Sequence, residues 1–128
     1  MIDCVAIGDS IAVGAGQAMH CTVKAHVGWS STKIVTLSNG VKAQLCIISA
    51  GSNDPKNPKL IVNLKKIRNN LNCNKIVWVK PINSTAADAV YAAKKANDSV
   101  VSFTPSKDNV HPKSYKTLAD SIKKVLAF

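Results

Sequence analysis

A chain of 128 residues, 46% apolar and 19% charged, has room for one domain around a single core and is too apolar to be a disordered tail. Its 17 Lys and Arg against 7 Asp and Glu give a net charge of +10 and a pI near 9.7. Arg68 is the sole arginine, so the forked donor that reads guanine or grips phosphate at two points is nearly missing, which argues against specific nucleic-acid binding. The lysines are scattered along the expected helices and read as a solvated surface, open to contact with an anionic polymer.

Taken in order, the first apolar run has no basic segment before it and breaks at Gly8-Asp9. Neither a signal peptide nor a membrane span is expected, and the expected location is cytoplasmic. Residues 2 to 8 read as a buried strand and 10 to 20 as a helix of small residues, so Ser10 falls where a strand turns into a helix. Residues 21 to 27 form a second candidate strand. Gly28-Trp29-Ser30-Ser31 is a turn, with Ser30 or Ser31 able to cap a helix running to about Leu37, which Asn39-Gly40 ends.

Residues 43 to 49 are apolar nearly throughout, as suits a strand in the middle of a parallel sheet. A polar loop over 51 to 58 leads to a helix over 59 to 72, in which Leu60, Leu64, Ile67 and Leu71 keep helical spacing. A fourth strand over 75 to 79 is closed by Pro81. The alanine-rich stretch 86 to 96 reads as a helix, with Lys94 and Lys95 placed to favour its carboxyl end. A fifth strand covers 99 to 103. Pro112 is expected to open the last helix, whose stripe is Tyr115, Leu118, Ala119, Ile122, Val125 and Leu126. Five strands alternating with five helical stretches predict a single α/β domain over 1–128, a three-layer α/β/α sandwich with a five-stranded parallel sheet.

Cys4, Cys21, Cys46 and Cys73 are widely spaced without a Cys-x-x-Cys pair, and are read as free thiols in a reducing compartment. His20, Cys21 and His26 fit no common zinc spacing, so local packing is expected there and no metal. The glycines of Val13-Gly14-Ala15-Gly16-Gln17-Ala18-Met19 echo a dinucleotide fingerprint but have Met19 at the third position, so no cofactor is expected.

Three stretches just beyond strand ends carry chemistry. Ser10 is placed as a nucleophile beside the first N–H groups of a helix. Asn53, in Gly51-Ser52-Asn53-Asp54-Pro55, can donate its amide to an oxyanion. In Asp108-Asn109-Val110-His111-Pro112, a carboxylate three residues before a histidine can take the Nδ1 proton and leave Nε2 as a base.

Together these blocks resemble the SGNH hydrolases, also called GDSL esterases and lipases. Gly8-Asp9-Ser10-Ile11 is similar to the family's first block, Gly28 in Gly28-Trp29-Ser30-Ser31 to the second, Gly51-Ser52-Asn53-Asp54 to the third and Asp108-Asn109-Val110-His111-Pro112 to the fifth. The first block has isoleucine where leucine is usual, and Ser30-Ser31 stands where the second usually has Ser-Gly. The resemblance implies a flavodoxin-like SGNH hydrolase fold. It also implies Ser10 as nucleophile, His111 as base, Asp108 as the partner that orients it, and the N–H groups of Ser10 and Gly28 with the Asn53 amide as oxyanion hole. The expected activity is serine ester hydrolysis of short acyl groups, such as O-acetyl esters on a carbohydrate or cell-wall polymer. Lysophospholipase or thioesterase action, and a non-catalytic glycan-binding module on the same fold, are the alternatives.

Overall fold

The computed structural model describes residues 3–126. Five strands, β1 (Cys4–Gly8), β2 (Thr22–Ala25), β3 (Lys42–Ser49), β4 (Asn72–Val79) and β5 (Ser99–Val101), form one all-parallel sheet in the order β2-β1-β3-β4-β5. The helices are α1 (Ser10–Ala18), α2 (Ser31–Ser38), α3 (Leu60–Asn70), α4 (Ser84–Ala93) and α5 (Tyr115–Leu126). This is the expected three-layer α/β/α sandwich with flavodoxin-like strand order. The order reverses between β1 and β3, and ligands of open parallel sheets sit beyond the strand ends at such a switch point.

Alternation along the strands builds two cores. On one face Ile7, Cys46, Ile48 and Trp78 pack under Ile34 of α2, Leu64 and Ile67 of α3 and Val90 of α4. On the other, Ala6, Ile47, Val77 and Val101 meet Ile11 and Ala15 of α1 with Leu118 and Ile122 of α5. The central strands are apolar on both sides because helices cover both faces.

Arg68 is part-buried and held by an ion pair. Its Nε and Nη2 donate to the two carboxylate oxygens of Asp98 at 2.8 and 2.9 Å, and the Trp78 indole and Lys95 N–H donate to the same carboxylate. Burial is the largest influence on the Asp98 pKa and raises it, but the hydrogen bonds from Arg68, the Lys95 N–H and the Trp78 indole, with the Arg68 charge, together outweigh it and hold the group below its ordinary value.

Several expectations are corrected. The four cysteines are not free: Cys4 is joined to Cys21 and Cys46 to Cys73. The first pair tethers β1 to the residue before β2, whose register sets Val5 against Thr22, and the second ties β3 to β4. A strand beginning at residue 2 falls on Ile2, outside the described residues. β5 ends at Val101, short of residue 103, and α4 ends at Ala93, so Lys94 caps it and Lys95 lies beyond it. Pro112 does not open a helix. It bridges Pro105 across a loop, and α5 begins at Tyr115, where the Ser114 hydroxyl accepts the Thr117 N–H. Among the described residues, no helix is long and apolar enough to cross a membrane.

Candidate functional site

The site starts at the end of β1. Gly8 has φ +145°, and a Cβ there would lie 1.8 Å from the Ser49 carbonyl oxygen of the neighbouring strand, so only glycine lets the two strand ends lie this close. Asp9 follows as the cap of α1, its Oδ1 accepting the Ile11 N–H at 3.1 Å and the Ser49 hydroxyl at 2.9 Å. Ser10 is therefore the first residue of the helix, where backbone N–H groups have no intrahelical acceptor. Asp9 is 1% exposed, and its Oδ2 has no hydrogen-bond partner among the described residues. Burial pushes its pKa up to about 6, against the pull of the Ser49 and helix N–H hydrogen bonds.

The loop from Thr104 to Ser114 brings a histidine to this serine. It is held as a narrow hairpin: the Ser106 N–H donates to His111 O at 2.8 Å, Lys113 N–H to Thr104 O at 2.9 Å, and Pro105 bridges Pro112. At its tip, Asp108 Oδ1 accepts the N–H groups of Val110 and His111 and the Ser106 hydroxyl at 2.8 to 2.9 Å. Asp108 Oδ2 lies 2.6 Å from His111 Nδ1, and His111 Nε2 lies 2.9 Å from Ser10 Oγ.

These contacts set the protons. The His111 N–H, then the His111 ring, the Val110 N–H and the Ser106 hydroxyl hold the Asp108 carboxyl well below the usual carboxylate range. An ionised carboxylate only accepts, so Nδ1 carries the proton. In the neutral ring Nε2 is then the acceptor, and the Ser10 hydroxyl donates to it. Ser10, His111 and Asp108 thus form one hydrogen-bonded chain between segments distant in sequence.

Asn53 and Gly28 lie on the loops that follow β3 and β2, the two strands that flank β1. Gly28 has φ +80°, and a Cβ there would meet nothing within 4 Å among the described residues, so its backbone conformation, not crowding, favours glycine. The Asn53 amide donates to Trp29 O at 3.0 Å, joining the loop after β3 to the loop after β2. One of its two N–H bonds is used in this way, and the amide has a second to offer.

Two features of the surroundings escaped sequence reasoning. Asp54, next to Asn53, binds both the N–H and the hydroxyl of Ser31, and Asn63 of α3 donates to the same hydroxyl. The signal was present in Asn53-Asp54 followed by a polar Asn63 on the apolar stripe of α3. Tyr115 at the start of α5 packs on Gly14, where a Cβ would come within 2.2 Å of its ring. Burial, followed by the charges of Asp9 and Asp108, raises the Tyr115 pKa. The glycines that echoed a dinucleotide fingerprint therefore serve close helix packing, Gly16 meeting Val23 and Ala6 in the same way.

His20, Cys21 and His26 are not gathered. Cys21 is bonded to Cys4 and the His26 ring lies 4.3 Å from that of Trp29. Among the described residues, no group of three His, Cys, Asp or Glu is placed to hold a metal ion.

No protein-family model matches the sequence, no curated protein matches it, and no solved structure matches its fold, so a functional reading stands on the geometry of Ser10, His111 and Asp108.

Proposed function

We propose that the protein is a serine acyl-ester hydrolase of the SGNH type. The observation that carries this reading is the chain from Ser10 Oγ through His111 to Asp108, at 2.9 and 2.6 Å, at the switch point of a parallel sheet. The His111 and Asp108 side chains are 42% and 50% exposed, so the pair is open to a substrate arriving from solvent.

In this mechanism Ser10 Oγ attacks the ester carbonyl carbon while His111 Nε2 takes the hydroxyl proton, and Asp108 stabilises the imidazolium through Nδ1–H. The oxyanion is held by the N–H groups of Ser10 and Gly28 and the Asn53 amide. His111 then returns the proton to the departing alkoxide. Water, deprotonated by the same nitrogen, attacks the acyl-serine, releases the acid and restores Ser10.

The exposed position of the catalytic pair favours short acyl groups such as acetyl. A long chain on an open surface would keep its methylenes in water and forgo about 0.8 kcal/mol for each. The alcohol side is proposed to be a carbohydrate or cell-wall polymer, which the lysine-rich surface suits if it carries negative charge. Two disulfides favour action in an oxidising environment over the reducing cytoplasm.

The test is kcat/KM on p-nitrophenyl esters from C2 to C12 as soluble monomers. The highest value is expected at C2 to C4. A maximum at C8 or beyond would contradict the short-acyl reading and favour lysophospholipid or thioester hydrolysis.

A further inference from the structure

Ser10 opens α1, and Gly14 follows it on the same face one helical turn later. Tyr115 opens α5, four positions after His111. The two helices touch at these points. A Cβ built on Gly14 would collide with Cδ1, Cε1 and Cζ of the Tyr115 ring, so the ring lies directly on the backbone of α1. Gly14 has no positive φ that would call for glycine, and glycine is the poorest helix former after proline. Its place inside a helix is explained by the ring that it admits.

We propose that this contact sets the reach of the base: Tyr115, seated on Gly14, is a positioning residue that fixes the distance from His111 Nε2 to Ser10 Oγ. The proposal rests on the ester-hydrolase reading and names a further determinant of its rate. Ser10 and Gly14 move as one piece because they share the start of one helix. The link from His111 to Tyr115 has little slack either. Pro112 has a fixed φ and bridges Pro105, the Lys113 N–H donates to Thr104 O at 2.9 Å, and the Ser114 hydroxyl accepts the Thr117 N–H at 3.1 Å. Deeper between the same helices, Ile11 and Ala15 meet Leu118 and Ile122 and hold α5 against α1. Tyr115 is the member of that contact nearest His111 in sequence, at the end of α5 where the hairpin leaves it. A Cβ on Gly14 would push the ring away from α1, and the hairpin with it. The Asp108–His111 pair lies wholly within the hairpin and would travel intact, so the hydrogen bond to Ser10 is the one that would stretch. A shift of about 1 Å in such a geometry costs up to 10²-fold in rate.

The experiment measures kcat and KM on p-nitrophenyl acetate, with a thermal melt, for the wild type, Gly14→Ala, Tyr115→Phe, Tyr115→Ala and the double variant Gly14→Ala/Tyr115→Ala. Gly14→Ala is expected to lower kcat by about tenfold to a hundredfold at nearly constant KM. Tyr115→Phe keeps the ring and should keep the wild-type kcat, whereas Tyr115→Ala should lose about three- to tenfold. Once the ring is gone the Cβ at position 14 has lost its obstacle, so the double variant should match Tyr115→Ala instead of adding the two losses. A contact that serves the fold alone would move Tm and leave kcat as it was. A wild-type kcat in folded Gly14→Ala, or a double variant as slow as Gly14→Ala, would overturn the proposal; if Gly14→Ala does not fold, a wild-type kcat in Tyr115→Ala overturns it. Nitrogen NMR of the His111 ring gives a readout without substrate. Gly14→Ala should move the Nε2 resonance in the direction that Ser10→Ala moves it and leave Nδ1, held by Asp108, in place. An unmoved Nε2 resonance contradicts the proposal even in a protein that turns over no ester, whereas that inactivity by itself would refute only the hydrolase reading.

Discussion

Asp54 grips Ser31 with both carboxylate oxygens, taking its N–H at 3.0 Å and its hydroxyl at 2.6 Å. The first residue of α2, three positions after Gly28, is thereby fastened to the residue after Asn53. The same carboxylate accepts the Asn57 amide at 2.9 Å, which closes its own loop. The loops that carry Gly28 and Asn53 are thus joined through one aspartate, which among the described residues makes no hydrogen bond to Ser10 or His111.

Asp54→Ala is expected to lower kcat by about tenfold to a hundredfold with a smaller change in KM, since a displacement of about 1 Å in such a site costs up to 10²-fold. Stability should fall by about 1 to 3 kcal/mol from the loss of charged hydrogen bonds. Asp54→Asn keeps an acceptor and should recover part of kcat. Steady-state kinetics of both variants checks this, and an unchanged kcat in a destabilised Asp54→Ala would confine the residue to holding the fold.

Asn53→Ala should reduce kcat by about 10² to 10³ and leave KM nearly constant, because the amide would bind charge that exists only in the transition state. A rise in KM at constant kcat would instead make Asn53 a binder of ground-state substrate.

Asp9 predicts a pH dependence of stability. Its pKa is raised from 3.8 to about 6 in the folded protein, so between those values the folded state holds more proton than the unfolded one. Stability therefore falls as pH rises from about 4 to about 6, by a total of about 3 kcal/mol. Asp9→Asn cannot ionise and escapes that loss while keeping an oxygen for the Ile11 N–H. Its Tm relative to wild type is expected to climb between pH 4 and pH 7, which thermal melts across that range would measure. A constant difference would mean that Asp9 is not held in a charge-averse site.

The disulfides predict that the intact protein gains the mass of four hydrogens on reduction and, before reduction, resists alkylation at Cys4, Cys21, Cys46 and Cys73. Each bond should contribute about 3 kcal/mol by constraining the unfolded chain, so reducing conditions should lower Tm. Mass spectrometry with and without a reductant checks the bonds, thermal melts check their contribution, and four alkylated cysteines in the untreated protein would restore the free-thiol reading.

The layers were legible because local periodicity reports burial. The spacing of Leu60, Leu64 and Ile67 and the unbroken apolar run from Leu45 to Ile48 each correspond to buried surface. What depends on register was not legible. Cys4 meets Cys21 because β1 pairs with β2 in one particular alignment, and four cysteines allow three pairings that spacing does not distinguish. Pro112 misled because a proline before a helical stripe usually opens the helix, whereas here its fixed backbone closes a hairpin against Pro105. In the site, Ser10, Asp108, His111 and Asn53 stood out by residue type and position beyond strand ends. Asp54, Ser31 and Tyr115 did not, since their part is played across distances that sequence does not span.

Covalent labelling of the folded protein with a fluorophosphonate, followed by mass mapping of the adduct, asks whether Ser10 is a nucleophile without any assumption about substrate. One label on Ser10 is expected in the wild type, none in Ser10→Ala, and strongly slowed labelling in His111→Ala. Turnover of p-nitrophenyl acetate should fall by on the order of 10⁴ to 10⁶ in Ser10→Ala. A folded wild-type protein that stays unlabelled, or a Ser10→Ala variant that labels and turns over as before, would contradict the assignment of Ser10, His111 and Asp108 as a catalytic triad.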